Sequence, residues 1–180
     1  MRRLTEGDDD TVRPSWSRNG QSIYFGSKRT GRWEIWRIPV QGDTAGVSAA
    51  RRMTGSSGFE GFESADSKAL FSATEGQLSS VPLNGDAPHL VIDKGCWHGW
   101  WSLAPGGIVY ADLTNEGHAP GDLPVLYYSF RTRRTTALTS FPQGVFPPNP
   151  GLTVSPDGRY LVVARVDDDS TNLVLASTKR

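Results

Sequence analysis

Four serines, Ser17, Ser64, Ser102 and Ser155, each stand behind an apolar or aromatic stretch and ahead of a tight polar turn. Counting back from them collects the side chains best suited to recognition. Four places before each serine sit Arg13, Glu60, His98 and Gly151, and five places before sit Val12, Phe59, Trp97 and Pro150. If the four segments are equivalent, Arg13, Glu60, Trp97 and His98 gather about one mouth. A cation, a carboxylate, an indole and an imidazole in that setting suit a peptide or a small polar ligand; capping of the packing between segments is the other role open to them. Trp97-His98-Gly99-Trp100-Trp101 is the densest aromatic cluster in the chain. As a strand it sends Trp97, Gly99 and Trp101 to one side and His98 and Trp100 to the other. Trp101 then serves packing, while Trp97 and Trp100 are candidates to anchor a partner.

Catalytic and metal constellations are not written in this sequence. There is no G-x-S-x-G elbow and no phosphate-cradling glycine loop. The repeated serines sit in turn phrases, where a hydroxyl is expected to bond the backbone. Cys96 and His98, with Asp93 nearby, could reach a metal, yet three His and one Cys do not make a complete zinc shell. Asp8-Asp9-Asp10 and Asp167-Asp168-Asp169 lack the glycine and the ligand spacing of a calcium loop. The expectation is therefore no catalytic residue, no metal and no cofactor.

Composition narrows the partners. Nineteen basic and nineteen acidic residues cancel, so the one-signed field that attracts a nucleic acid backbone is missing and direct nucleic acid binding is not expected. The basic runs Arg51-Arg52 and Arg131-Thr132-Arg133-Arg134 suit solvated loops or edge strands. One cysteine excludes an internal disulfide. Met1-Arg2-Arg3-Leu4 is followed by aspartates rather than an apolar stretch, so no signal peptide and no membrane insertion are expected. As written the chain reads as cytoplasmic, with the periplasm open to a longer parent protein.

The elements that must position these residues are short strands. The serine phrases recur roughly four dozen residues apart with several strands per period, the pattern of propeller blades. The first unit, 11–54, reads as strands 12–16, 22–27, 33–40 and 51–54. The second, 58–93, gives 59–63, 69–73, 77–82 and 89–92, with Asn84-Gly85 as a strong turn and a cramped Thr74-Glu75-Gly76 connection. The third, 96–140, gives 97–101, 107–111, 125–130 and 136–139, with a long insertion from Asp112 to Pro124. The fourth, 150–180, gives 152–154, 160–166 and 171–176 and lacks a fourth strand. The stretch 2–5 supplies one, either closing the last blade or left over from a preceding one. No window sustains apolar residues at helical spacing. The expected fold is all-β, a single β-propeller domain over 1–180 with about four four-stranded blades, as an open arc of a larger propeller or a small closed ring.

These phrases resemble the TolB-type, WD-repeat-like β-propeller family, whose repeat runs Pro-x-Trp-Ser-Pro-Asp-Gly, then Ile-x-Phe, a Gly turn and an Ile-Tyr/Trp strand. Arg13-Pro14-Ser15-Trp16-Ser17, Thr153-Val154-Ser155-Pro156-Asp157-Gly158 and Glu34-Ile35-Trp36-Arg37-Ile38 carry the likeness. Asp66-Ser67 and Ala104-Pro105-Gly106-Gly107 depart from it. The resemblance implies a C-terminal propeller portion of the kind found behind bacterial winged-helix regulators or Ser/Thr kinases, where a fused or neighbouring regulatory domain is a partner. Propellers host unrelated activities. The function expected is a noncatalytic module for protein or peptide interaction or ligand sensing. The alternatives are a propeller remnant of a prolyl-oligopeptidase-type hydrolase lacking its catalytic domain, and a degenerate fragment without independent function.

Overall fold

A computed structural model describes residues 3–5, 10–40, 49–55, 58–74, 76–114, 122–141, 151–167 and 170–177, the side chains of 165–167 and 170–172 excepted. Fifteen strands and no α-helix occur among them. The first sheet orders β1 (Thr11–Trp16), β2 (Ser22–Ser27), β3 (Glu34–Pro39) and β4 (Arg51–Arg52) as an antiparallel meander. The second does the same with β5 (Glu60–Glu63), β6 (Ala69–Ala73), β7 (Leu78–Pro82) and β8 (His89–Ile92). The third holds β9 (Cys96–Ala104), β10 (Gly107–Asp112), β11 (Leu123–Ser129) and β12 (Arg134–Phe141). The fourth has three strands, β13 (Leu152–Val154), β14 (Tyr160–Asp167) and β15 (Ser170–Ser177). Each sheet is a propeller blade. Of the stretch 2–5, Arg3, Leu4 and Thr5 carry no strand, and Arg2 lies outside the described residues. Asp8, Asp9, Asp168, Asp169, Glu75, Pro150 and most of the 112–124 insertion lie outside them as well.

The sheets form two compact units, Met1–Ile92 and Asp93–Arg180. In unit 1 the face of the first sheet carrying Tyr24 and Ile35 meets the face of the second carrying Leu70 and Val81, with Met53 and Leu83 at the margin. In unit 2, Val109, Ala111 and Val125 of the third sheet pack on Leu152, Leu161 and Val163 of the fourth. Each such Val, Leu or Ile side chain contributes roughly 1.5–3 kcal/mol on burial, which sets the side of these strands because a one-residue slip would turn them to solvent. The contact in unit 1 is close enough to require glycine. A Cβ on Gly26 would lie 2.4 Å from the carbonyl oxygen of Phe59.

The repeated turns explain the serines. In three of the four, the serine hydroxyl donates to a side-chain oxygen two residues on: Ser17 to Asn19 at 2.8 Å, Ser64 to Asp66 at 2.7 Å and Ser155 to Asp157 at 2.7 Å. The same hydroxyls accept the amides of Ser22, Ala69 and Tyr160, tying the turn to the start of the next strand. The third turn is built differently. Its strands run on until Ala104 pairs with Gly107, leaving Pro105-Gly106 as the turn, and Gly106 takes the φ of +73° that a type II turn asks of glycine. The missing Asp of this copy is thus a change of turn type.

Candidate functional site

Arg13 sits in a bulge of β1 between Val12 and Ser15, with a φ of +48° that non-glycine residues rarely adopt. The bulge points its guanidinium at the second sheet, where Nη1 lies 3.2 Å from Oε2 of Glu60 and the head stands 5.7 Å from the Phe59 ring centre. Glu60 is 2% exposed. Phe59 packs against Trp33 with ring centres 4.5 Å apart, and the Lys28 ammonium lies 4.9 Å above Trp33. The result is a buried carboxylate held by a half-exposed cation, beside two aromatic rings and a second cation. A peptide terminus or small polar ligand would meet both charge and aromatic surface there. Arg13 and Glu60 were legible from their place before the repeated serines; Trp33 and Lys28 were not. The end of β2 and the start of β3 fall at the same sheet end as the start of β1, and that antiparallel order was the available signal.

Two other buried carboxylates of unit 1 are structural. Glu34 is fully buried and receives Arg32 at 3.2 Å, Arg52 at 3.5 Å and the Thr30 hydroxyl. Burial pushes its carboxyl up, and the Thr30 and Arg32 hydrogen bonds with the Arg52 and Arg32 charges outweigh it, so the pKa ends below the ordinary value. Glu63 accepts the Tyr24 hydroxyl at 2.9 Å. Burial first, then the hydrogen bond and charge of Glu63, raise the Tyr24 phenol to about 12. Arg51 and Arg52 form the exposed edge strand β4, although Arg52 also serves Glu34. Arg134 opens the exposed strand β12.

In unit 2 the aromatic cluster departs from simple alternation. Trp101 pairs with Tyr110 while Cys96 pairs with Asp112, so residues 97–100 stand opposite Ala111 alone, and Gly99 takes a φ of +73°. This bulge turns Trp100 inward. Expected to face a partner, Trp100 is instead 6% exposed and part of the unit 2 core, beside Trp101 at 1%. Trp97 is put out, 38% exposed, with the half-buried His98 ring at a centre-to-centre distance of 6.5 Å. Cys96 is buried and takes part in no disulfide. Among the described residues no three His, Cys, Asp or Glu side chains converge as metal ligands would. At the equivalent place in the fourth sheet a Cβ on Gly151 would lie 2.7 Å from that of Ala164, so backbone packing occupies it. The structure thus brings Arg13 to Glu60 in unit 1 and Trp97 to His98 in unit 2.

No family model matches the sequence. An uncharacterized protein of Agrobacterium fabrum is 45% identical over 42 residues, which are 23% of this chain and 14% of that protein. TolB from Acinetobacter baumannii superposes with a TM-score of 0.69 at 22% identity, over 92% of this chain and 40% of its own. A TolB-like protein from Agrobacterium tumefaciens gives 0.71 at 15% identity, over 97% and 60%. The chain has the TolB-type β-propeller fold. It spans 40% and 60% of these two TolB-type chains. The same fold extends to oligogalacturonate lyase from Vibrio parahaemolyticus (TM-score 0.66, 16% identity, 96% and 55% covered) and to a prolyl endopeptidase (0.59, 16%, 96% and 28%). It also extends to a chain of a nidogen/laminin complex (0.62, 10%, 87% and 57%). Among the described residues no helix is long and apolar enough to cross a membrane.

Proposed function

We propose that this chain is a noncatalytic TolB-like propeller module that binds a protein or peptide partner. The observation that carries the reading is Trp97, which the β9 bulge holds out beside His98 on a rigid sheet while its neighbours Trp100 and Trp101 are buried. An exposed indole on a fixed backbone supplies contact area at small entropic cost, as anchors at interfaces do. Arg13 and Glu60 with Phe59 add a second, charged contact point in unit 1. The likeness to a propeller taken from a nidogen/laminin complex supports a role in protein contact. Support for the absence of turnover comes from the repeated serines, whose hydroxyls in three turns are committed to turn hydrogen bonds. The balance of nineteen acidic and nineteen basic residues supports a partner other than nucleic acid.

Oligogalacturonate lyase and prolyl endopeptidase among the fold neighbours favour the competing reading of a propeller tied to an enzyme. A peptide array probed with the purified chain separates them. Capture of a defined peptide subset, lost in Trp97→Ala with the thermal unfolding curve unchanged, is the expected outcome. Capture that Trp97→Ala leaves intact removes the proposed anchor, and cleavage of captured peptides favours the enzyme.

A further inference from the structure

Two arginines of unit 1 face each other across a strand pair. β3 pairs with β4 so that Arg37 stands directly opposite Arg51. Tyr24 pairs with Arg37 and Ser22 with Pro39, so alternation puts all five residues on one face of the first sheet. Like charges directly opposite across a ladder are destabilising. The other arginines of the sheet show the contrast. Arg52, one place on, turns to the opposite face and meets the buried Glu34, as Arg32 does, while Arg13 meets Glu60. Among the described residues no carboxylate pairs with Arg37 or Arg51. Glu63 of the second sheet is engaged by the Tyr24 hydroxyl. Between Arg37 and Arg51 the sequence holds a single acidic residue, Asp43, so that segment keeps a net positive charge.

The same side chains surround a space. Ser22, Arg37, Pro39, Ala49 and Arg51 line a cavity of about 380 Å³. Arg51 is exposed and Arg37 half-buried, so a solute can reach both. The Arg37 guanidinium lies 5.8 Å from the centre of the buried Tyr24 ring, which backs it. Two planar forks of N–H donors thus border one cavity. A tetrahedral dianion answers that arrangement, because it offers oxygens to both forks and neutralises both charges. A single carboxylate would leave one charge unmatched. Pro39 and Ala49 add small apolar walls for the group that carries the phosphate.

We infer that Arg37 and Arg51 form a binding site for a phosphate monoester, whose phosphate lies between the two guanidinium groups in this cavity.

The test is calorimetric titration of the purified chain with O-phosphoserine, inorganic phosphate, serine and succinate at constant ionic strength. O-phosphoserine and phosphate are expected to bind saturably, succinate more weakly and serine not at all. Arg51→Gln removes one fork at an exposed position. A hydrogen bond between charged groups is worth a factor of ten or more, so affinity should fall at least about tenfold. Thermal unfolding of that variant without phosphate should be unchanged or raised, because the like-charge contact is relieved. Arg51→Glu sets a carboxylate opposite Arg37 and should abolish binding while the fold is kept; if it unfolds, Arg51→Gln decides. A wild type that binds neither phosphate compound overturns the proposal. So does phosphate binding that Arg51→Gln leaves intact, or succinate bound as tightly as O-phosphoserine. A phosphoserine peptide then distinguishes the sources of the group: binding tighter than that of O-phosphoserine assigns it to a modified side chain, and equal or weaker binding to a small phosphate ester. Free phosphate needs no peptide partner, so this result stands apart from that for the Trp97 anchor.

Discussion

Removing the Tyr24 hydroxyl probes how the first two blades hold together. Tyr24 is fully buried and donates to a Glu63 carboxylate that is itself buried. A hydrogen bond to a charged group is worth about 1.5–3 kcal/mol, and leaving the acceptor buried without its donor adds to the loss. Tyr24→Phe should therefore destabilise unit 1 by about 2–3 kcal/mol at neutral pH. Glu63→Gln keeps an acceptor oxygen and should cost less, about 1 kcal/mol. Completing the cycle with Tyr24→Phe/Glu63→Gln should give a coupling energy of about 1–2 kcal/mol. A second signature lies at alkaline pH. The folded phenol is raised to about 12 from an ordinary value of 10.0, so its contribution is complete below pH 10 and is lost as pH climbs through 12. The slope in that window is about 1.4 kcal/mol per pH unit before solvent screening, and about 2 kcal/mol in all is a fair expectation. Urea unfolding followed by tryptophan fluorescence from pH 8 to 12 reads both quantities. Burial raises Tyr110 of unit 2 as well, so a smaller alkaline slope should survive in Tyr24→Phe. A coupling energy below about 0.3 kcal/mol, or an alkaline slope that Tyr24→Phe leaves untouched, would refute the reasoning.

Further substitutions separate structural from exposed residues. Gly26→Ala drives a Cβ to 2.4 Å from the Phe59 carbonyl, and overpacking of this kind should cost roughly 1–3 kcal/mol in urea unfolding. Trp100→Ala should cost roughly 3–5 kcal/mol as a core truncation, while Trp97→Ala should change stability by less than about 1 kcal/mol, a contrast that thermal unfolding resolves. Glu34 has a folded pKa below its ordinary value of 4.5, so its contribution is present above that pH and is lost as pH falls through the folded value. An acid-unfolding series should therefore show a shallower acid limb for Glu34→Gln, alongside a lower stability at neutral pH.

Much of the fold was legible because the repeat and the turn chemistry agree. Strands β2, β6, β8 and β13 begin and end where the Ser-x-Asp/Asn turns and the apolar runs place them. Boundaries moved outward in β9 and β12, where ladder pairing with β10 and β11 extends strands past their apolar centres. Arg13 with Glu60 was legible for the same reason as the fold, since equal offsets from a repeated turn lead to neighbouring places in adjacent blades. Trp100 was not. Alternation assumes a regular ladder, and the positive φ at Gly99 breaks it in a strand whose glycine was visible but whose bulge was not. Nor does composition disclose that Glu34 and Glu63 are buried, because their partners Thr30, Arg52 and Tyr24 come from other strands and turns that only the folded sheets bring near.

Binding without turnover is the heart of the account, and one incubation tests it most directly. The purified chain is mixed with its captured peptides and, separately, with oligogalacturonate, and both mixtures are followed by mass spectrometry while retention is measured by calorimetric titration. Peptides retained saturably, with every mass unchanged and retention lost in Trp97→Ala, are the predicted result. Product that accumulates in proportion to the protein, from either substrate, would contradict it.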